Sequence, residues 1–129
     1  MRPPDEGRAS HDAWMANADE DLQIAQALLP QGFARGVSFH AQQAAEKALK
    51  GYLARLSDED IPKTHDLLSL SALIAQRGGA QPPVRGLRPL NQHAVTTRYP
   101  DEAPPTHAEA AEAVGFAQEL VAFVRAAVG

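Results

Sequence analysis

Polar side chains that could bind a phosphate are concentrated at residues 40–50, which read HAQQAAEKALK. At about 100° per residue, a helix places Gln42 and Glu46 on one flank of the alanine stripe in this run. The opposite flank carries His40, Gln43, Lys47 and Lys50. Imidazole, amide and ammonium groups donate hydrogen bonds to phosphate oxygens, so this flank is a candidate site for a nucleotide or RNA phosphate. The competing interpretation is a solvated surface on which Glu46 pairs with Lys50 at i, i+4.

Three further sets of residues allow either a binding or catalytic role or a purely structural one. Arg98 and Tyr99 could hold a phosphate and stack on a base, or they could close a helix by packing and ion pairing. His65 and Asp66 could form an acid/base pair, although their position ahead of an apolar run favours Asp66 as a helix cap. His40 itself could be a packed histidine bonded to a nearby carbonyl or carboxylate.

Residue spacing argues against metal and cofactor chemistry. No two histidines lie at i, i+4, and the chain has no HExxH motif and no cysteine. A glycine-rich loop that would cradle a phosphate after a strand is also missing. The sequence therefore predicts no metal site and no cofactor.

The composition predicts one small helical domain. A chain of 129 residues is long enough for one hydrophobic core, and its low aromatic content of 5% together with abundant alanine favours helices over strands. A formal net charge of −4 argues against general binding to duplex nucleic acid, so a local basic patch would be needed. Without cysteine, a signal-peptide start or a long apolar run, we expect a cytoplasmic protein that does not enter a membrane.

Hydrophobic periodicity predicts an all-α, up-and-down bundle of four to five helices over residues 12–129, after a flexible tail at residues 1–11. Asp12 is the expected cap of the first helix. Its predicted buried face consists of Trp14, Ala18, Leu22, Ala25 and Leu29. The other predicted helices span residues 33–56, 67 to the glycines at 78 and 79, 87–97 and 107–128.

The last predicted helix begins with a capping box and carries more apolar surface than one core requires. Thr106 and Glu109 have the spacing at which each side chain accepts from the other's backbone N–H. Two adjacent apolar rows then follow along the helix, whereas one row suffices to face a core. The helix is therefore sandwiched either within its own bundle or against another subunit, and the second alternative predicts a homodimer.

Four segments carry a family resemblance by their order and spacing. They are DLQIAQALL at residues 21–29, FHAQQAAEKALKGYL at 39–53, THDL at 64–67 and TRYPD at 97–101. Together they resemble HEPN domains, the higher eukaryote and prokaryote nucleotide-binding domains, over about residues 13–128. The resemblance implies a helical bundle, frequent dimerisation and pairing with a separate minimal nucleotidyltransferase in toxin–antitoxin modules. It also implies that some relatives are metal-independent ribonucleases and that others are binding domains without catalysis.

The ribonuclease relatives carry an arginine followed, after four to six residues, by a histidine. Arg35 with His40 and Arg88 with His93 have this spacing, and arginine and histidine suit the roles of phosphate-binding cation and general base. Chance alone supplies about one such spacing in a chain of this composition. Residues five apart on a helix also diverge by about 140°, and the residues that follow the two arginines, Gly36 and Pro89, offer no side-chain hydrogen bond.

These observations leave three hypotheses. The first is a homodimeric HEPN module that binds a nucleotide or RNA and pairs with a minimal nucleotidyltransferase. The second is a metal-independent endoribonuclease toxin that uses Arg35 or Arg88 with His40 or His93. The third is a purely structural helical adaptor whose polar flank only keeps it soluble.

Overall fold

The computed structural model describes residues 9–96, 100–101 and 103–129, and this part of the chain is helical without strands. Its helices are α1 (His11–Leu28), α2 (Ala34–Leu56), α3 (Leu67–Gln76), α4 (Leu87–Thr96) and α5 (His107–Val128). Short 3₁₀ turns at Leu29–Gln31 and Val84–Gly86 precede α2 and α4. The predicted all-α bundle of four to five helices is therefore confirmed. Within these residues, no helix combines the length and the apolar character that crossing a membrane requires.

Helix α2 is the central element of the bundle and packs against each of the other four helices. At 23 residues it is about 35 Å long. Its buried face is built from small or aliphatic residues that have no exposed surface, namely Val37, Ala41, Ala44, Ala45, Ala48 and Leu49. Small side chains let neighbouring helices approach closely, so the alanines of this run serve packing.

Helix α1 differs from its prediction in its cap and in its buried face. Ser10, and not Asp12, is the N-cap, because the Ser10 hydroxyl accepts from the Ala13 N–H at 3.1 Å. Asp12 instead lies in the first turn, where a negative charge is favourable next to the helix dipole. The buried positions are Met15, Ala18, Asp21 and Ala25.

The close approach of α1 to Gly51 of α2 explains this shift of the buried face. A Cβ atom added at Gly51 would lie 3.0 Å from the Met15 sulfur and 3.1 Å from the Trp14 Cβ. Because the glycine leaves room for both side chains, Met15 enters the core, whereas Trp14 is only partly buried. Of the predicted buried face, Ala18 and Ala25 are fully buried and Leu22 and Leu29 pack against the core while partly exposed, so the prediction was wrong in giving Trp14 the place that Met15 takes.

The caps of α3 and α5 agree with the sequence prediction. The Asp66 carboxylate accepts from the Leu68 N–H at 3.1 Å and so caps α3. At the start of α5, the Glu109 N–H donates to Thr106 Oγ1 at 3.0 Å and the Thr106 N–H donates to Glu109 Oε1 at 2.9 Å. This reciprocal pair is the predicted capping box.

Most of the second apolar row on α5 is covered within the subunit. Ala113 and Leu120 are buried, and Phe123 meets Tyr52 of α2 with ring centroids 6.4 Å apart. Phe116 packs on Gly86, where an added Cβ would lie 2.7 Å from the Phe116 Cβ. The bundle itself therefore accounts for much of this row, and a homodimer stays a prediction.

Candidate functional site

The first group of polar contacts, here called the Asp21 cluster, joins α1 to α2 through Asp21, His40 and Lys47. Asp21 has 7% of its surface exposed, and its two carboxylate oxygens have different partners. His40 Nδ1 lies 2.8 Å from Oδ1, and the Lys47 ammonium donates to Oδ2 at 2.5 Å. His40 and Lys47 are seven residues apart on α2, which is about two turns, so both reach the same carboxylate.

A second group, the Glu46 cluster, lies on the other flank of α2. Glu46 has 4% of its surface exposed, and its carboxylate has three partners: the Lys50 ammonium at 3.1 Å, His65 Nδ1 at 2.9 Å and the Gln42 amide at 3.4 Å. The Lys50 ammonium also lies 5.7 Å from the centre of the Trp14 ring, in a cation–π contact. Lys50 is therefore held between α1 and α2.

Gln43 lies between the two clusters on the surface of α2. Its amide donates to Gln42 Oε1 at 3.0 Å, and Gln42 in turn reaches the His65 carbonyl at 3.4 Å. The polar residues of α2 cover about 160° of the helix surface. They form one polar face made of His40, Gln42, Gln43, Glu46, Lys47 and Lys50.

Each cluster presents one histidine in the same chemical arrangement. A carboxylate can only accept a hydrogen bond, so Nδ1 of His40 and Nδ1 of His65 are the donors. The other ring nitrogen, Nε2, has no partner among the described residues in either case. A carboxylate that fixes an imidazole through Nδ1 sets its tautomer and leaves Nε2 for a ligand or a proton transfer.

Accessibility separates the two lysines of the polar face. The side chains of His40 and Lys47 are 26% and 28% exposed, so a ligand can reach them. The Lys50 side chain is only 8% exposed. The prediction of a solvated flank was therefore wrong for Lys50, whereas the predicted i, i+4 pair with Glu46 is confirmed as a buried pair.

His65 and Asp66 do not form the acid/base pair that was one of their predicted roles. Hydrogen bonds from Ser69 and Asn91 lower the pKa of the Asp66 carboxyl, which serves as the α3 cap. His65 turns instead to Glu46 and keeps 58% of its side chain exposed. The structural interpretation of Asp66 is confirmed.

The structure does not bring either predicted arginine–histidine pair together among the described residues. Arg35 is the second residue of α2, which is continuous to Leu56. Arg35 and His40 therefore lie about 140° apart around the helix axis. Arg88 lies in the first turn of α4 and is exposed. The His93 side chain and both Arg98 and Tyr99 lie outside the described residues.

Sequence reasoning missed the two acids that organise the site. No motif points to Asp21 as a site residue, and helical spacing points to Glu46 only as the partner of Lys50. A signal for Asp21 does exist, because it lies between Ala18 and Ala25 at helical spacing and so falls within a buried face. Among the described residues, no group of histidines and acids is arranged to hold a metal ion.

Comparison with known proteins identifies the family. A family model described as the HEPN domain matches residues 11–127. The chain belongs to the HEPN family. This HEPN protein is similar to a solved structure, TT1696 from Thermus thermophilus, at 35% identity and a TM-score of 0.78, over 90% of this chain and 96% of that chain.

A second solved structure supports the fold alone. ST0689, described as an archaeal HEPN homologue, has 23% identity and a TM-score of 0.72, over 94% of this chain and 99% of that chain. A search of curated proteins found no match.

Proposed function

We propose that this HEPN protein is a nucleotide- or RNA-binding module that holds a phosphate at the Asp21 cluster. The observation that carries the proposal is the shared carboxylate of Asp21, which anchors both His40 and Lys47 while each keeps about a quarter of its side chain exposed. Gln43, next to them on the polar face, supplies an amide. The proposed ligands are therefore Lys47, His40 and Gln43.

Donor geometry supports this choice of atoms. The Lys47 ammonium has three N–H groups, of which one donates to Asp21. His40 uses Nδ1 for the same carboxylate, so its Nε2 can donate to a phosphate oxygen when the ring is protonated. Asp21 thus holds the two side chains in place before a ligand arrives, which lowers the entropic cost of binding.

Local charge supports a phosphate in preference to a long polyanion. Asp21 balances Lys47, and with a neutral His40 the cluster has no net charge. Protonation of His40 gives it a charge of about +1. The whole chain carries −4, so binding depends on hydrogen bonds at this place and not on a general attraction.

A titration with ATP and with a short single-stranded RNA tests the proposal. We expect Lys47→Met, which keeps the length of the side chain and removes its charge, to weaken binding by about 10-fold to 100-fold. Lys63→Met is the matched control, because Lys63 is exposed and lies on the connection between α2 and α3. Wild-type protein that binds neither ligand, or equal affinities for the two variants, would contradict the proposal.

We propose further that the protein acts as a homodimer together with a separate minimal nucleotidyltransferase, as in a toxin–antitoxin pair. Membership of the HEPN family supports this part. Light scattering at micromolar concentration should give the mass of two chains, and co-expression with the product of the adjacent open reading frame should give a stable complex. A monomeric mass refutes the first expectation, and the absence of a complex refutes the second.

One observation favours a second candidate function, a metal-independent endoribonuclease. The Asp21–His40 contact is the arrangement in which a carboxylate orients a general base. Such an activity would cleave a structured RNA in the presence of EDTA and would be lost in His40→Ala. Cleavage that persists in both His40→Ala and His93→Ala would exclude these histidines as catalytic residues.

The third hypothesis, a purely structural helical adaptor, predicts that the double variant Gln43→Ala/Lys47→Ala binds every ligand and partner as wild type does.

A further inference from the structure

An exposed aromatic ring lies on α2 beside the proposed phosphate site. Phe39 is 45% exposed, and in the described part of the chain only Phe33, at 58%, is a large hydrophobic residue with more exposed surface. Phe39 belongs to a row at i, i+4 spacing that consists of Arg35, Phe39, Gln43 and Lys47. Successive members of such a row are about 6 Å apart along the helix axis.

The neighbours of Phe39 hold the ring without covering it. The Phe39 and His40 rings meet with centroids 5.2 Å apart and planes at 81°, and His40 is itself fixed by Asp21. Gly36, one turn earlier, has no side chain to lay over the ring, and a Cβ atom added there would lie 3.1 Å from Leu28 Cδ1. The phenyl ring is therefore positioned next to the phosphate-binding groups while much of its surface stays open.

We propose that this row binds single-stranded nucleic acid, with one base stacked on Phe39 and a neighbouring phosphate on Lys47 and His40. The inference rests on the proposed function, because it requires the Asp21 cluster to hold the phosphate. Every base has a π face that an aromatic side chain can stack on, and in a duplex these faces are hidden by adjacent base pairs. An exposed phenyl ring beside a phosphate site therefore selects an unpaired strand.

The surroundings of Phe39 favour nucleic acid over a second copy of the chain. A subunit interface is centred on a contiguous apolar patch. The residues next to Phe39 on the helix surface, at three and four positions before and after it, are Arg35, Gly36, Gln42 and Gln43. Polar side chains occupy three of these four positions, and only the Gly36 side borders apolar groups, Leu28 and Phe33, so the ring suits a stacked base better than a buried protein contact.

Few phosphates take part in this arrangement, which makes a prediction about salt. With one or two phosphates held, the logarithm of the binding constant for single-stranded RNA should fall against the logarithm of salt concentration with a slope of about −0.7 to −1.4. A much steeper slope would indicate a longer electrostatic tract than the row provides.

Fluorescence anisotropy with a labelled single-stranded RNA of about ten nucleotides tests the stacking contact. We expect Phe39→Ala to weaken binding of this RNA by about 5-fold to 150-fold, the range that loss of one stacked base produces. Phe39→Tyr should retain the affinity, and Phe33→Ala, which removes an exposed ring outside the row, is the matched control. The affinity for inorganic pyrophosphate, measured by calorimetry, should not change in Phe39→Ala.

The outcomes separate this inference from the proposed function. If Phe39→Ala binds the RNA as wild type does while Lys47→Met weakens both RNA and pyrophosphate, stacking is refuted and the phosphate site stands. If Lys47→Met changes neither ligand, the proposed function itself fails. Binding of a duplex of the same sequence with equal affinity, or conversion of a dimer to a monomer by Phe39→Ala, also overturns the inference, the latter because a second chain then covers the ring.

Discussion

Replacing Glu46 by glutamine should destabilise the bundle more than replacing Lys50 by methionine, although the two residues form one ion pair. The pair is buried, with side-chain exposures of 6% for Glu46 and 8% for Lys50. Their partners differ in number. The Glu46 carboxylate accepts from His65 and Gln42 as well as from Lys50. Among the described residues, the Lys50 ammonium has a hydrogen bond to Glu46 alone.

The magnitudes follow from what each substitution leaves behind. Glu46→Gln leaves a buried ammonium without its counter-charge, which costs about 3–5 kcal/mol, and the Trp14 ring at 5.7 Å reduces this toward about 3 kcal/mol. Lys50→Met keeps the apolar stem and leaves Glu46 with two donors, so we expect a cost of about 1 kcal/mol. The double variant Glu46→Gln/Lys50→Met should be more stable than Glu46→Gln alone, since it removes the orphaned charge.

Urea unfolding measures these differences as changes in the free energy of unfolding. Far-UV circular dichroism follows the helices, and the fluorescence of Trp14, the single tryptophan of the chain, follows the environment of Lys50. The exposed Glu112 offers a control, because Glu112→Gln should stay within about 0.5 kcal/mol of wild type. A larger loss of unfolding free energy in Lys50→Met than in Glu46→Gln would refute this prediction. A double variant that is no more stable than Glu46→Gln alone would refute it as well.

Two further predictions concern the helix cap and the close contacts. Asp66 has a lowered pKa, so its charge stabilises the fold above its unfolded pKa of about 3.9, and that stability is lost as the pH falls through the lower folded pKa. The stability advantage of wild type over Asp66→Asn should therefore shrink between about pH 5 and pH 2 in urea unfolding, and a constant difference would contradict this. Gly86→Ala should cost about 1–3 kcal/mol, because the new Cβ would lie 2.7 Å from Phe116. A Cβ atom added at Gly115 of α5 would meet no other atom within 4 Å, so Gly115→Ala should stabilise the fold by about 0.5–1 kcal/mol. Thermal unfolding in which both variants are more stable than wild type, or both less stable, would contradict this prediction.

Local signals predicted most of the fold. The capping box at Thr106, the cap at Asp66 and the extent of α2 each depend on residues within a few positions of one another, and the structure has all three. The error in α1 has a different origin. Its periodic pattern allowed either Trp14 or Met15 on the buried face, and the choice depends on the space beside Gly51, 36 positions further along the chain than Met15.

The sequence by itself determined the family, the helices and the polar composition of one face of α2. The tertiary structure decided which charges meet, because Asp21 is 19 residues from His40 and 26 from Lys47, and helical periodicity carries no information about such distances. Desolvation then gave chemically similar residues different roles. Lys50 lies under Trp14 with a buried carboxylate, whereas Lys47, three residues earlier, keeps access to solvent, since the burial of a side chain depends on the helices packed around it and not on its residue type.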